Sequence, residues 1–356
     1  MQKEDMLKLL TAGIMAPSAD NMQPWKFRIG DDSLEISLDQ EQLGHFFDPA
    51  EVATAMGCGA LIENIDHCAR QMGLQMDLNR RVEADQKIVA TLSFSPLIPG
   101  KQGGDLSDAV FSRCTDRALY DRRKTITASD KKLLEDSVNQ AENYTLTLYD
   151  NPEQRKKIIK TVYGADTIRF SHEKVHRDFY HVLRFGDAAE RTREGLAQST
   201  LGIEFFFIPV LKALRSWKIT HFLNRVAGLH HMMALRGVWL PMVFSSSLVS
   251  ITYRGAADYL QFGRVMERFW LQATAAGLSV QPMGAFPLFL ARVKTVDGEG
   301  FSEREIARLN NLEQLFASAT PGYQTGTDQL VMLFRLGYAK RPPNRSLRRP
   351  LDSFLI

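Results

Sequence analysis

Cysteine is scarce in this chain. Cys58, Cys68 and Cys114 are too few and too scattered for a disulfide framework or a thiolate metal site, so a reducing compartment, the cytoplasm, is expected. Long apolar runs are also missing. The start, MQKEDMLKLL, has no apolar core before a small-residue cleavage site, so no signal peptide is expected. The uncharged stretch Gly237–Tyr253 is 17 residues long and includes Pro241 and four serines, short of the about 20 apolar residues a spanning helix needs. Gly57-Cys58-Gly59 is followed by Ile62 where a dinucleotide fingerprint needs glycine, so no Rossmann nicotinamide domain is expected. Excess charge of one sign is nearly absent: 44 basic residues face 41 acidic ones. The small surplus sits in one place, because Lys340, Arg341, Arg345, Arg348 and Arg349 lie in a stretch with no acid. Such a tail calls for an anionic partner: nucleic acid, a membrane surface or a single phosphate. Its prolines at 342, 343 and 350 make it extended, and it lacks the interleaved aromatics of single-strand binders.

What is present reads as an ordinary globular chain of about two domains, with 44% hydrophobic and 24% charged residues. A helix is expected over 4–14, a hairpin over 26–29 and 34–38 around Gly30-Asp31-Asp32, a helix over 52–74 and a strand over 89–94. The segment 97–105 (LIPGKQGGD) is the best linker. Beyond it come a Thr127/Asp130 capped helix, a strand over 144–149 and a charged, mostly helical 152–197. A helix over 257–277 buries one stripe, a Ser302/Glu305 capped helix runs to about 317, and 330–336 suits a buried strand. For the apolar stretch 201–249 the favoured reading is a buried helix followed by a core strand, Met242–Thr252. The competing one is a lid or an interfacial hairpin with Lys212, Arg215 and Lys218 at head groups. Gly59–Met76 laid on Gly263–Val280 without gaps matches Gly59 with Gly263 and Glu63 with Glu267. Shared helix grammar or duplication of one unit would each produce that match.

Three segments can carry chemistry. Pro17-Ser18-Ala19-Asp20-Asn21-Met22-Gln23-Pro24-Trp25 offers amides suited to the edge of a planar heterocycle, or a loop held by its own amide bonds. Arg113-Cys114-Thr115-Asp116-Arg117 brings two guanidinium groups and a hydroxyl together, a grip for phosphate or a solvated charged surface. The third is the tail. His172-Glu173-Lys174-Val175-His176 also matches the H-E-x-x-H zinc metalloprotease pattern, but its charged flanks favour a solvated helix face.

Together these segments resemble the nitroreductase family of FMN-binding flavoproteins. The run 17–25 is similar to the family's P-S-S-x-N-x-Q-P-W segment. The run 113–117 resembles its R-x-S-x-[KR] phosphate motif, Ala275–Phe286 its A-L-G-L-x-x-x-P-I-x-G stretch, and Arg348-Arg349-Pro350-Leu351 its R-K-P-L end. Ala19 replaces the second family serine, and Gly284 stands where a glutamate is common. The phosphate motif follows the P-S segment here instead of preceding it, which resembles the Acg-like branch, where one fused chain imitates a dimer.

The resemblance implies an α+β, nitroreductase-like fold with an antiparallel-type sheet flanked by helices. It implies two degenerate halves, 1–100 and 101–356, in one pseudo-dimer, monomeric or as a homodimer. The second half would carry the apolar insertion or lid near 195–240 and the basic tail. It implies that Arg113, Thr115 and Arg117 hold the FMN phosphate with Arg348 or Arg349. Pro17, Ser18, Asn21 and Gln23 would flank the ring from the other half, with Pro282, Met283, Gly284 and Ala285 beside it. The implied activity is ping-pong hydride transfer from NAD(P)H through flavin N5 to a small acceptor such as a nitroaromatic or quinone, with no side-chain acid or nucleophile. No nucleic acid, metal or stable membrane insertion is implied. The alternative is an FMN-binding storage protein with a covered flavin; a zinc metalloprotease is third.

Overall fold

The computed structural model describes residues 2–80, 88–98 and 106–356. Helix α1 (Lys3–Gly13) leads into the hairpin β1 (Trp25–Ile29) and β2 (Ser33–Leu38), where Gly30 N–H closes the turn onto the Ser33 carbonyl. The long helix α2 (Val52–Gln71) follows. Gly73, with φ +74°, then turns the chain out of the helix. The alternation Leu74, Met76, Leu78 therefore forms strand β3 (Leu74–Asn79), which the expected 52–74 helix had left out. Strand β4 (Ile88–Pro96) completes an antiparallel sheet ordered β1-β2-β4-β3. The expected linker lies mostly outside the described residues.

The rest of the chain opens with α3 (Ser107–Ser112) and α4 (Ala128–Asn139), whose Thr127 side chain accepts the Asp130 N–H. Strand β5 (Tyr144–Leu148), α5 (Pro152–Ser171) and α6 (Glu173–Val182) follow. A two-stranded parallel pair, β6 (Leu183–Arg184) and β7 (Leu196–Ala197), brackets α7 (Ala188–Thr192). Next come the short helices α8 (Ile208–Ala213), α9 (Trp217–Ala227), α10 (Leu229–Ala234) and α11 (Leu240–Val243), then β8 (Ser247–Arg254) and α12 (Tyr259–Ala275). Strand β9 (Ser279–Pro282), α13 (Ala285–Thr295), α14 (Glu303–Ala317) and β10 (Asp328–Gly337) end the regular structure. The second sheet is antiparallel, ordered β5-β8-β10-β9. The expected α+β class with antiparallel sheets flanked by helices is what forms.

Helices α2 and α12 join the two sheets. A Cβ on Gly59 would collide with the Leu260 carbonyl, and one on Gly263 with the Met56 carbonyl. The sequence alignment that lays Gly59 on Gly263 also lays Met56 on Leu260. The two contacts are therefore copies of one another, as at a two-fold interface between like subunits. One continuous core spans this crossing, from Trp25, Phe27 and Ile65 to Phe262, Trp270 and Phe334. The tail then returns to the first sheet, where Leu355 bridges Phe27.

The reading of 201–249 holds only for its strand. Residues Ser247–Thr252 of β8 are buried, but Met242 and Val243 belong to α11. Upstream there is no buried helix. Pro209 opens α8, Gly228 in the left-handed region (φ +61°) ends α9, and the short helices between lie on the surface with Phe205, Phe222 and Met232 exposed. No helix among the described residues is long and apolar enough to cross a membrane.

Candidate functional site

The loop between α1 and β1 is strained. Asp20, Asn21 and Gln23 all have positive φ (47°, 60° and 54°), a conformation costing about 1–3 kcal/mol for each non-glycine residue unless its surroundings fix it. Here they do. Ser18 Oγ accepts the Gln23 N–H at 3.0 Å. Asn21 Nδ2 donates to the carbonyls of Gly195 (3.2 Å) and Leu347 (3.1 Å), and its Oδ1 accepts from Arg348 at 2.8 Å. Gln23 Nε2 donates to the Arg193 carbonyl (2.9 Å), and its Oε1 accepts the Arg349 N–H (2.9 Å). The two amides thus lock the loop to the 193–195 segment and to the tail.

Arg113 ends α3 and is almost completely buried. It donates to the Met15 carbonyl at 2.7 Å, lies over the Trp270 ring at 4.6 Å, and its Nε is 2.9 Å from Glu267 Oε1. Thr115 bridges Val280 at the end of the second sheet. Arg117 donates to the Thr200 carbonyl at 3.1 Å; burial lowers its pKa to about 10, against the pull of Asp20. Arg348 donates to the carbonyls of Ile14, Met15 and Ala16; burial and the nearby Arg113 lower its pKa to about 9, with Glu267 opposing. Buried guanidinium groups with lowered pKa values are short of negative charge.

These side chains surround one cavity of about 70 Å³, lined by Pro17, Ser18, Asn21, Arg113, Thr115, Arg117, Arg345 and Arg348, and also by the carboxyl-bearing Asp20, whose pKa burial raises against the pull of nearby arginines. The structure thus brings together residues from the start of the chain, from the segment after the linker and from the tail, the last more than 200 positions from the other two. Arg349 does not border the cavity; it lies over Phe354 and donates to the Gln23 carbonyl. Gln23 is behind the loop, and Pro282, Met283, Gly284 and Ala285 are also outside the cavity lining. The Met283 N–H is already bonded to the Leu333 carbonyl, and its side chain is in the second core. An adjoining cleft of about 330 Å³ shares Asn21, Arg345 and Ser346 with the cavity and is walled by the 186–199 segment.

The sequence reading missed Asp20 and Arg345 in the lining, and Glu267 behind it. Glu267 is completely buried on α12, and burial raises its pKa to about 7, with Arg113 and Arg348 pulling the other way. Its Oε2 has no hydrogen-bond partner. The signal was the alignment of Glu63 with Glu267, an acid in the middle of two buried helix stripes.

The H-E-x-x-H reading fails on geometry. The helix breaks at His172 (φ −98°, ψ 124°), so His172 and His176 do not share a helical face. Nε2 of His172 faces the Gly300 carbonyl, and Nε2 of His176 the Leu214 carbonyl. Among the described residues no group of three or more His, Cys, Asp or Glu could hold a metal ion.

No family model matches the chain. An uncharacterized protein of Mycobacterium tuberculosis is 28% identical over 351 residues, covering 95% of this chain and 46% of that protein. A protein of the same organism named as a candidate NAD(P)H nitroreductase is 30% identical over 118 residues, covering 33% of this chain and 34% of its own. Another, the candidate NAD(P)H nitroreductase Acg, is 28% identical over 107 residues, or 30% and 32% of the two chains. This chain spans under half the length of the first relative and about a third of the other two. Among solved structures, a nitroreductase-like family protein from Bacillus cereus covers 71% of this chain and 95% of its own at 14% identity and TM-score 0.34. A BluB-like flavoprotein from Clostridium difficile covers 70% and 97% at 11% identity and TM-score 0.38. Over about a third of its length the chain is thus similar to proteins named as candidate NAD(P)H nitroreductases, Acg among them.

Proposed function

We propose that the chain is an FMN-binding oxidoreductase that takes electrons from NAD(P)H and passes them to a small acceptor such as a nitroaromatic or quinone. The observation that supports this best is the cavity ringed by Arg113, Arg117 and Arg348. One buried and two half-buried guanidinium groups around a phosphate-sized space, outnumbering the one acid that lines it, Asp20, fit the phosphate end of the cofactor. Bound FMN would supply hydride chemistry at its N5. The chain's own part is to hold and shield. Arg113, Arg117 and Arg348 neutralise the phosphate, the Thr115 hydroxyl and Ser18 add hydrogen bonds, and the Leu196–Thr200 stretch keeps water out. Pro17, Asn21 and Gln23 on one side and Pro282–Ala285 on the other are the proposed ring contacts. We read the halves 1–100 and 101–356 as the two members of a pseudo-dimer that carries one such site.

One observation favours a second reading, an FMN store with little turnover. The cavity is too small for the whole cofactor, and the amides of Asn21 and Gln23 are engaged with Arg193, Gly195 and the tail. The 186–200 segment has to rearrange for the ring to enter, and the same segment can bar NAD(P)H. The visible spectrum of the protein after FMN loading and desalting tests the common part: a protein that stays colourless overturns both readings. Anaerobic addition of NADPH or NADH then separates them. Rapid bleaching supports the oxidoreductase, and no bleaching at millimolar concentration overturns it in favour of storage.

A further inference from the structure

The surface arm from Phe205 to Leu235 has a composition unlike its surroundings. It contains no aspartate or glutamate, while Lys212, Arg215, Lys218 and Arg225 are all exposed. Large apolar side chains stand out beside them: Phe205 is 81% exposed, Phe206 58%, Phe222 61% and Met232 61%. The arrangement on α9 is amphipathic with the apolar stripe outward. Ile219, Phe222 and Val226 follow one another at three- and four-residue spacing on the solvent side, flanked by Lys218, His221 and Arg225. The opposite side is tied to the protein, where Thr220 donates to the Leu214 carbonyl and Asn224 to the Phe170 carbonyl. The inward side of the helix is already packed on the protein, with Thr220 and Asn224 buried there.

We infer that this arm is a peripheral docking surface for an anionic lipid bilayer, with the phenylalanines at the acyl boundary and the four cations at the head groups. An acid-free face carrying both aromatic and basic side chains has the charge and polarity of an interfacial helix. A second copy of the chain fits the face less well. An isologous contact would set the four cations of one arm against the same four of the other, with no acid on either to relieve them. The short, Pro- and Gly-interrupted helices also suit a surface-lying segment and not a spanning one.

Flotation with phosphatidylcholine vesicles, with and without phosphatidylglycerol, tests the proposal on the full chain. The expected result is binding only when phosphatidylglycerol is present, weakening as salt rises. Phe206→Ser with Phe222→Ser abolishes it. Arg215→Gln with Lys218→Gln weakens it roughly thirtyfold, from the usual contribution of each basic residue near an anionic surface. All four positions are exposed, and unchanged thermal melting shows that the variants fold. Equal binding to pure phosphatidylcholine overturns the proposal, as does an absence of binding to either vesicle. A dimer that Phe222→Ser dissociates, in a protein that ignores vesicles, overturns it in favour of a second copy.

Discussion

Glu63 and Glu267 occupy matching positions on the crossing helices α2 and α12, yet their surroundings drive them in opposite directions. Burial alone would raise the Glu63 carboxyl. Arg268 at 2.7 Å and Arg264 at 2.8 Å, both from α12, outweigh that and hold it below its usual value. At Glu267 burial wins, and the carboxyl is pushed up to about 7. The difference follows from sequence. The positions on α2 that correspond to Arg264 and Arg268 are Ala60 and Asn64, so the first half cannot return the ion pairs it receives. Glu267 must share Arg113, and more distantly Arg348, with a cavity. Glu63 is a lock between helices; Glu267 sits behind the cavity proposed to take an anion. The two helices match at their glycines and differ at their charges.

The glycine crossing gives the largest expected effect. Gly59→Ala and Gly263→Ala each press a methyl group into a facing backbone carbonyl, and each should lower stability by about 3 kcal/mol in chemical denaturation. Near-equal losses sharpen the two-fold description, and a large inequality breaks it. Next comes Glu63→Gln, which leaves Arg268 without its carboxylate and Arg264 with only Asp66, and should cost about 2 kcal/mol, less than a fully buried pair because both arginines are partly exposed. Glu267→Gln should cost less than about 1 kcal/mol at pH 7, because its carboxyl is already poised to be neutral. That variant should instead bind inorganic phosphate or FMN more tightly, read by calorimetry; unchanged affinity would break the assignment of Glu267 to the site.

The smallest effect is in pH dependence, and its sign differs between the halves. The folded pKa of Glu267 lies above its ordinary value of 4.5, so its contribution to stability is fully present below 4.5 and is lost as pH rises through about 7. Glu63 is depressed, so its contribution is present above 4.5 and is lost as pH falls through its folded value. Melting curves from pH 3 to pH 8 should therefore show Glu267→Gln flattening the neutral limb and Glu63→Gln flattening the acid limb. Both variants changing the same limb would remove the contrast.

Much of the framework was legible in the sequence. The Gly30-Asp31-Asp32 turn, the stripe of Phe262, Met266 and Phe269, and the Ser302–Glu305 capping box are local signals, and each forms the element it predicts. The Gly59–Gly263 alignment also carried the two-fold crossing, although sequence could not tell it from ordinary helix capping. The two glutamates were harder. Arg264, Glu267 and Arg268 lie off the apolar stripe read from the helix pattern, and only the packing around α12 gives them their partners. The exposed arm failed for the opposite reason: an apolar segment reads as core, and only the tertiary structure shows that its inward face is already filled. The tail's basic residues were noticed, but the partners of Arg348, the carbonyls of Ile14, Met15 and Ala16, carry no sequence signal at all.

The central claim is that one half carries an anion site and the other a lock. Fluorescence titration of FMN tests it most directly, on the wild type, Arg348→Ala, Arg113→Ala and Glu63→Gln, each first shown to be folded. The account predicts one FMN per chain, lost with either arginine and kept by Glu63→Gln. Two equal sites per chain, or affinity indifferent to Arg113 and Arg348, would contradict it.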